Sequence, residues 1–565
     1  MSNDLGIDRS GNGNNWTVNN MAFADQVVDS PTNNFATLNP LDYYSTITLS
    51  EGNTKVYMSN GWAVCRGTIA MTSGKWYWEV VVGGAYTQVG VSDTSAPTSL
   101  SSWHSASGWT YYANTGNKYN NNSSSSYGSS YTTGDIIGVT YDADNGQVTF
   151  YKNNVSQGVA YTLTADSISP TSGTVTSQTD VYNFGQDSSF AGNKTAQGNQ
   201  DGNDIGDFYY TPPTGFLALC TKNLPDVAVT PSEHFNTVLY TGNEATQSIT
   251  GVSLQPDLVW FKQRNGTRNN TLIDSVRGGT KQLFSNSTGT EETYATAITS
   301  FDTDGFTIGS QYNINEDNKS MVAWNWKANG SGSSNTNGSI NTTKTSANVD
   351  AGFSISTYTG TGVNGTIGHG LSKPPEMVIV KERGDDTGNW YVWHTGFAAT
   401  DGIFLNLTSA KATSDTYWND TAPTSSVFSV GTNTDINGTT GTDTYVAYCF
   451  HSVDGYSKCS SFVGNGNVDG TFIYTGFRPA FVLVKESSNT GYWVLHDTSR
   501  SPTNVALGTL YPNGAEAEDT STAYQIDILS NGFKQRNTSG STNTSGATHI
   551  YIAFAETPFK YSNAR

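Results

Sequence analysis

The sequence predicts an all-β protein built from tandem antiparallel β-sandwiches. Short stretches of alternating apolar and polar residues recur along the 565 residues and are separated by turns rich in Gly, Asn, Asp and Ser. Charged residues make up only 13% of the chain, and runs of strong helix formers are scarce, so long helices are not expected. Aromatic residues, at 12%, supply much of the predicted core.

The clearest element is a β-hairpin over residues 134–154, GDIIGVTYDADNGQVTFYKNN. Apolar and polar residues alternate on both sides of the Asp-Asn-Gly turn, the strongest short-range signal for a hairpin. Ile137, Val139 and Tyr141 are expected to share one face, and Val148 and Phe150 to alternate with polar neighbours.

The chain divides into five predicted segments. Residues 1–40 are Gly- and Asn-rich and are expected to be an extension that docks onto a partner, since short terminal segments often order only on assembly. Residues 41–225 form a first sandwich, in which the Ser- and Asn-rich stretch 99–131 and the insertion 187–207 are expected to be long loops of the functional or disordered kind. Residues 233–330, 353–460 and 461–565 form three related β modules.

Two anchors support the repeat. The central lysines are separated by 119 and 104 residues, and the alanines of a later strand by 124 and 106; these anchors are Lys262, Lys381 and Lys485, and Ala323, Ala447 and Ala553. A period this long indicates tandem domains rather than a solenoid.

Each module contains a proline followed by a nearly continuous apolar strand: PDLVWFK, PEMVIVKE or PAFVLVKE. Such a run predicts a strand central to a sandwich. The strands NWYVWH (389–394) and GYWVLH (491–496) occupy equivalent places in two modules, which favours a shared core strand over a binding loop. Residues 329–345, NGSGSSNTNGSINTTKT, predict a flexible linker between the first two modules.

Charge and composition exclude several classes of function. The net charge of −19 and the pI near 4.6 repel phosphate backbones, so we expect no nucleic-acid partner. The sequence has neither a signal peptide nor an apolar run long enough to span a membrane, so no membrane insertion is expected. The seven histidines lack the spacing of a zinc site, and no metal or other cofactor is expected. Buried free thiols are favoured for the four cysteines, although Cys449 and Cys459 could pair.

No catalytic motif is present, and the protein is expected not to be an enzyme. The chain lacks a nucleophile elbow, a phosphate-binding loop and a dinucleotide fingerprint. A glycosidase pair of carboxylates stays open, because such pairs are defined in space rather than by spacing. Asp142 and Asp144 flank Asn145 and Gly146, which favours a role as turn formers. Residues 316–318 and 384–389 could hold calcium, but polar turns are the favoured interpretation.

The best functional signal in the residues is aromatic. The stretch SSWHSASGWTYYANTGNKYN sets flat rings among Ser, Asn, Gly and Thr, a composition typical of binding loops. The candidate ligand-binding residues are Trp103, His104, Trp109, Tyr111, Tyr112 and Tyr119. The alternative is that WTYYA is an ordinary core strand.

The first sandwich resembles the B30.2/SPRY domain. The residues that carry the likeness are SGKWYWEV (73–80), QVGVS (88–92), the hairpin of 134–154, NFGQ (183–186) and PPTGFLAL (212–219), over about residues 40–225. The stretch before the hairpin and the insertion after NFGQ depart from the family's pattern. The resemblance implies a bent sandwich of two antiparallel sheets, jelly-roll-like in type, whose loops bind protein or glycan.

The N-terminal segment and the three modules resemble bacteriophage virion proteins, particularly tail fibres and appendages. This resemblance implies a virion protein made in the host cytoplasm, released by lysis, and engaged in attachment to a host surface glycan or protein. It also implies assembly with other virion proteins and with copies of itself, as a trimer. The alternatives are a structural capsid-decoration or tail-connector protein and, less favoured, a polysaccharide depolymerase.

Overall fold

The computed structural model describes residues 6–561 apart from 9, 20–27, 31, 45, 60–62, 97, 99–105, 165–166, 175–176, 385–386 and 439–442. The chain forms two compact units, Met1–Asp226 and Val227–Arg565. Both are built almost wholly from antiparallel strands, which confirms the predicted fold class. Within the described part of the chain, no helix is long and apolar enough to cross a membrane.

The first unit is a sandwich of two large sheets. Its strands are β1 (Leu38–Tyr43), β2 (Ile47–Ser50), β3 (Lys55–Met58), β4 (Ala63–Gly67), β5 (Lys75–Val81), β6 (Thr87–Asp93), β7 (Gly108–Tyr112), β8 (Asn117–Asn120), β9 (Ser123–Ser126), β10 (Ile136–Asp142), β11 (Gln147–Lys152), β12 (Val155–Thr162), β13 (Ile168–Thr174), β14 (Gln178–Asn183) and β15 (Leu217–Ala218). One sheet has the order β1-β4-β13-β6-β7-β8-β9, and the other β12-β11-β10-β5-β14-β3-β2, with β15 parallel to β5.

The predicted hairpin is confirmed. Strands β10 and β11 pair from Ile137 opposite Lys152 to Asp142 opposite Gln147, around a turn that ends at Gly146. Ile137 and Val139, which alternation places on one face of β10, are fully buried, and the rest of this strand is buried as well.

The stretch 99–131, predicted as a long loop, instead contains strands β7, β8 and β9. Asn121 and Asn122 have φ of 52° and 57° and connect β8 to β9 as a two-residue turn, a conformation that asparagine tolerates. The serines of β9 have low strand propensity and are all exposed, so sequence pattern gives no sign of this ribbon.

The second unit contains three further groups of strands. The first module is β16 (Phe235–Thr241), β17 (Gln247–Ile249), β18 (Leu258–Gln263), β19 (Thr271–Asp274), β20 (Lys281–Phe284), β21 (Glu292–Thr293), β22 (Ile298–Asp302), β23 (Gly305–Ile308), α1 (Tyr312–Asn315) and β24 (Ser320–Trp326). The second is β25 (Thr342–Asn348), β26 (Phe353–Thr359), β27 (Gly365–Gly368), β28 (Met377–Glu382), β29 (Trp390–His394), β30 (Asp401–Phe404), β31 (Ala412–Thr413), α2 (Asp415–Trp418), β32 (Val427–Val430), α3 (Thr434–Asn437) and β33 (Thr444–Phe450). The third is β34 (Ser457–Val463), β35 (Phe472–Tyr474), β36 (Phe477–Glu486), β37 (Trp493–Asp497), β38 (Ile526–Leu529), β39 (Gly532–Gln535) and β40 (Thr548–Pro558).

The same strand order occurs in the main sheet of each module. It runs β16-β24-β18-β19 in the first, β26-β33-β28-β29 in the second and β34-β40-β36-β37 in the third, and each module adds a smaller sheet. Register aligns the three central lysines, because Lys262 lies opposite Val322, Lys381 opposite Val446 and Lys485 opposite Ile550.

Register corrects one of the predicted anchors. Ala323 and Ala447 lie opposite Phe261 and Val380, the residues just before the central lysines. The third module has Tyr551 at this place, opposite Val484, whereas Ala553 lies two residues further on. Matching YIAF of the third module to YVAY of the second by sequence therefore misaligns the two strands by two residues.

The three modules share a core. The central strands β18, β28 and β36 send one set of side chains into their own module, including Val259, Val378 and Val482. The alternate side chains, including Trp260, Ile379 and Leu483, join a single cluster to which all three modules contribute. Burial on both faces explains why these strands read as continuous apolar runs. A cavity of about 20 Å³, lined by apolar side chains from all three modules, lies in the shared core.

Side chains at one repeated position link the modules in a closed cycle. Trp390 and Trp493 lie opposite the central lysines, and Asn270 holds the matching place next to Thr271. Each donates a hydrogen bond to a backbone oxygen of another module: Trp390 Nε1 to Phe284 of the first at 2.9 Å, Trp493 Nε1 to Phe404 of the second at 2.9 Å, and Asn270 Nδ2 to Gly514 of the third at 2.7 Å. Of the predicted shared core strands 389–394 and 491–496, the parts from Trp390 and from Trp493 onward are buried, whereas Tyr492 is exposed.

Two of the three seams contain buried ion networks. Between the first and second modules, Arg277 pairs with Asp274 at 2.5 Å and with Glu291 at 3.2 Å, and Arg383 of the second module reaches Glu291 at 2.8 Å. Tyr448 also donates to Asp274 across this seam, at 2.8 Å. The seam between the third and first modules repeats the pattern with Asp497, Arg500, Glu518 and Arg264.

The seam between the second and third modules is built differently. His394 and Phe397 hold the places that Asp274 and Arg277 hold in the first module. His394 Nε2 donates to the carbonyl of Tyr551 at 3.2 Å, while His394 Nδ1 accepts from the backbone of Gly396 at 3.0 Å. The residue that matches Arg277 is therefore an aromatic one.

The predicted linker 329–345 is packed against the second module rather than extended between modules. Its last residues begin β25, which pairs with β26, and Ile340 is buried beside Ile367. Polar composition alone does not distinguish an edge strand from a linker, and this prediction was wrong for that reason.

Candidate binding surface

Exposed aromatic rings lie on β7, β8 and the loop before β6 of the first unit. Tyr112 and Tyr119 meet edge to face, with ring centroids 5.6 Å apart, and both are partly exposed. Tyr86, 43% exposed, adjoins them. Partial burial and the neighbouring tyrosines Tyr119 and Tyr86 raise the pKa of Tyr112. We call Tyr86, Tyr112 and Tyr119 the tyrosine surface.

Tyr111 belongs to the core instead. It is fully buried and packs against Tyr131 and Phe150 at centroid distances of 4.7 and 5.3 Å. Its hydroxyl donates to the backbone oxygen of Ser129. The predicted alternative, that part of WTYYA is a core strand, holds for this residue, and Tyr111 is not available to a ligand.

The remaining predicted residues differ in what the structure describes of them. Trp109 lies opposite Val91 in β6 and is partly exposed. Trp103 and His104 lie outside the described residues. Tyr86 was missed by sequence analysis, because a single tyrosine in the turn GGAYT carries no pattern.

The tyrosine surface is held on a rigid support. Thr110 of β7 lies opposite both Gly90 and Tyr119, so the surface rests on three hydrogen-bonded strands. The hydroxyl of Tyr161 donates to the backbone oxygens of Thr110 and Tyr119 at 2.8 and 2.9 Å, which ties the ribbon to β12. Such an arrangement presents flat rings at low cost in conformational entropy.

The carboxylates considered for catalysis are used structurally. Asp142 accepts the backbone N–H of Asn145 at 3.2 Å within the turn and pairs with Lys75 at 2.9 Å, whereas Asp144 accepts the backbone N–H of Gly74 at 2.8 Å. Glu316, a candidate calcium ligand, pairs with Arg268 at 2.9 Å. Asp385 and Asp386 of the other candidate lie outside the described residues. No group of three His, Cys, Asp or Glu side chains that could hold a metal occurs in the described ranges.

Two buried acids of the first unit were not singled out from the sequence. Burial raises the pKa of Glu79 to about 7, against hydrogen bonds from the backbones of Tyr209 and Tyr210 and the side chains of Tyr77 and Asn183. These bonds fasten the segment after the insertion to β5. Burial likewise raises the pKa of Asp180 to about 6, and this carboxylate accepts from the backbone of Gly83 at 2.7 Å.

All four cysteines are buried and free.

Comparison with known proteins identifies two regions. Residues 75–187 match the SPRY domain, a narrower range than the predicted 40–225. Residues 230–558, more than half of the chain, match a family described as a domain of unknown function, DUF7483.

Individual relatives match the SPRY region. An ATP-dependent RNA helicase DDX1 from Xenopus laevis is 29% identical over 177 residues, which are 31% of this chain and 21% of the helicase, so the likeness spans about a fifth of that protein. Among solved structures, the SPRY domain of human HERC1 is 21% identical, with 26% of this chain and 96% of that chain covered and a TM-score of 0.22. The TRIM65 PSpry domain is 18% identical, with coverage of 26% and 92% and a TM-score of 0.23.

Proposed function

The chain belongs to the DUF7483 family, and we propose that it is a non-enzymatic attachment protein of a bacteriophage virion. In this proposal the tyrosine surface contacts a glycan or protein of the host cell, and the three-module unit serves as a rigid body. The observation that carries the proposal is the tyrosine surface itself, with exposed and partly exposed rings held on a hydrogen-bonded sheet. The carboxylates considered for catalysis are engaged in an ion pair and a hydrogen bond.

We further propose that the three modules are copies of one unit. A buried asparagine recurs where each module's helical turn or loop meets the turn after β16, β26 or β34. Asn315, Asn437 and Asn543 accept a backbone N–H from that turn at 2.9, 2.8 and 3.0 Å, and their amides donate to nearby carbonyls. Shared strand order and this repeated side-chain bond support common descent better than composition does.

Binding of fluorescently labelled full-length protein to a panel of intact bacterial isolates tests the attachment role. We expect saturable binding restricted to some isolates, and a loss of at least tenfold for Tyr112→Ala combined with Tyr86→Ala. Tyr57→Ala is the matched control, because Tyr57 is 42% exposed and lies on β3 of the other sheet. Equal binding by all three proteins would exclude the tyrosine surface.

Two further measurements separate the alternatives. A folded protein that binds no isolate but is found by mass spectrometry in purified phage particles would favour a decoration or connector role. Shortening of host polysaccharide on incubation would favour a depolymerase. Native mass determination tests trimerisation, which stays a prediction. Absence from particles would overturn the virion assignment.

A further inference from the structure

A cavity of about 440 Å³ opens on the first unit and is lined by residues outside the range matched as SPRY. Its walls come from the segment before β1 and from the insertion after β14, together with Lys222. None of its lining residues falls within 75–187. The cavity is thus made by parts of this chain that lie outside the matched SPRY range.

Hydrogen bonds hold both walls in place. In the insertion, the buried carboxylate of Asp201 accepts the backbone N–H groups of Asn203, Ile205 and Ala218 at 2.8, 3.1 and 2.8 Å. It also accepts the side-chain amide of Asn223 at 2.8 Å. A loop fixed by four bonds to one carboxylate is preorganised, which lowers the entropic cost of binding.

The opposite wall is fixed by hydrogen bonds within itself and to the backbone of Lys222. Ser30 and Asn33 exchange backbone hydrogen bonds of 2.9 and 3.1 Å. Asn33 Oδ1 accepts the backbone N–H of Lys222 at 3.1 Å, and Phe35 N–H donates to Asp29 at 2.8 Å. Phe35 and Ile205, both nearly buried, supply apolar surface to the cavity.

Three polar side chains of the cavity lining have no partner within the described protein. Among the described residues, the side chains of Gln200, Asp204 and Lys222 take part in no hydrogen bond or ion pair. A lysine ammonium only donates, and an ionised aspartate only accepts. All three side chains are exposed to solvent, and a ligand that pairs with both charges would carry an anionic acceptor and hydroxyl or amine donors, while Gln200 can serve either kind of group.

We propose that this cavity binds an acidic sugar of the uronic acid class. Its carboxylate would pair with Lys222, its hydroxyls would donate to Asp204 and bond to Gln200 and Asn33, and its C–H face would pack on Phe35 and Ile205. The volume suits one or two sugar rings, since ligand sites in proteins usually measure about 300–1,000 Å³. This assignment does not rest on the proposed attachment role, because no residue of the tyrosine surface lines the cavity and the test needs no host cell.

Titration of the full chain with galacturonic acid, followed by saturation-transfer NMR, tests the proposal, with galactose and acetate as comparison probes. We expect saturable binding of galacturonic acid about tenfold tighter than of galactose, the usual effect of one charge-assisted contact, and none of acetate. Lys222→Ala should reduce galacturonic acid binding to the level of galactose, and Asp204→Asn should weaken both sugars.

Lys327→Ala is the matched control, since Lys327 is an exposed lysine of the other unit. Lys222 is exposed, so its variant should keep the thermal midpoint of the wild type, and Lys222→Arg should keep the preference for the acid. Equal affinity for galactose and galacturonic acid, unchanged in Lys222→Ala, would overturn the proposal. So would the absence of saturable binding at about 50 mM sugar, far above ordinary working affinities.

Discussion

Two seams of the second unit have matching strand positions but different side chains. The seam between the first and second modules is ionic, whereas the seam between the second and third contains a histidine and a phenylalanine. In the first seam, Asp274 and Arg277 are fully buried and held by Glu291, Arg383 and Tyr448. In the second, a neutral histidine and a phenylalanine occupy the matching places. The shared core requires apolar filling and satisfied polar groups, but it does not require a particular ion pair.

The largest effect should come from breaking the ionic seam on one side. Arg277→Ala leaves the Asp274 carboxylate buried without its cation, and it should lower the free energy of unfolding by about 3–5 kcal/mol. Chemical denaturation of the full chain, followed by tryptophan fluorescence, measures this loss. Arg536→Ala is the matched control, because its ion pairs are partly exposed and should contribute at most about 1 kcal/mol. Similar losses in both variants would contradict the expected difference between a buried and a partly exposed ion pair.

Lowering the pH should destabilise the seam between the second and third modules, where His394 is buried. Burial lowers the pKa of His394 to about 4, although the bond to Tyr551 opposes this. The folded pKa lies below the unfolded value near 6.5, so the stability linked to His394 is complete above pH 6.5 and is lost as the pH falls toward 4. The loss should approach about 3 kcal/mol.

His369, His496 and His549 shift in the same direction for the same reason, so the whole unit should lose stability over this range. His394→Gln isolates one contribution, because glutamine does not titrate. Thermal midpoints measured from pH 7.5 to 4.5 should fall less steeply for this variant than for the wild type. If the thermal midpoints of the two proteins fall equally steeply with pH, protonation of His394 does not contribute to the loss of stability.

A smaller change tests the cycle of side-chain bonds. Trp493→Phe removes the indole N–H that donates to Phe404 while keeping most of the apolar volume. We expect a loss of about 1–3 kcal/mol, since a buried carbonyl loses its donor. Asn270→Ala removes the corresponding bond of the first module and should cost a similar amount. Additive losses in the double variant would show that the two seams act independently, whereas strong coupling would show that the cycle behaves as one unit.

The smallest effect on stability is expected at the tyrosine surface. Tyr112→Ala should change the unfolding free energy by under about 1 kcal/mol, because the ring is partly exposed. Tyr111→Ala, one residue away but fully buried, should cost about 3–5 kcal/mol. Denaturation of the two variants under identical conditions checks this difference between neighbouring rings.

Sequence reasoning reached the local elements, but not the way the strand groups of the second unit pack. The hairpin of 134–154 was predictable because alternation and turn residues agree. The double burial of VWF, VIV and VLV was not, because a continuous apolar run looks the same whether its second face meets its own sandwich or a neighbouring module. In the closed cycle, Asn270 donates the bond that Trp390 and Trp493 donate in the other two modules, and sequence similarity does not reveal that an asparagine and a tryptophan are equivalent.

The candidate sites show the same limit. The aromatic composition of 99–131 indicated a binding surface, yet only the alternation of β7 separates Tyr112 from the buried Tyr111. Tyr86, Asp204 and Lys222 are distant in sequence from any pattern and become meaningful only through the loops that position them. The Asn121-Asn122 turn was equally hidden, since its signal is a backbone conformation.

The closed cycle within a single chain also bears on how the molecule can change. When three identical subunits form a ring, one codon alters every contact at once, so a replacement must be tolerable three times over. Here each seam is encoded separately, and a mutation at Arg277 leaves Arg500 and Phe397 as they are. On the proposed descent of the modules from one unit, the three seams could diverge one at a time, and such divergence would produce one aromatic and two ionic seams.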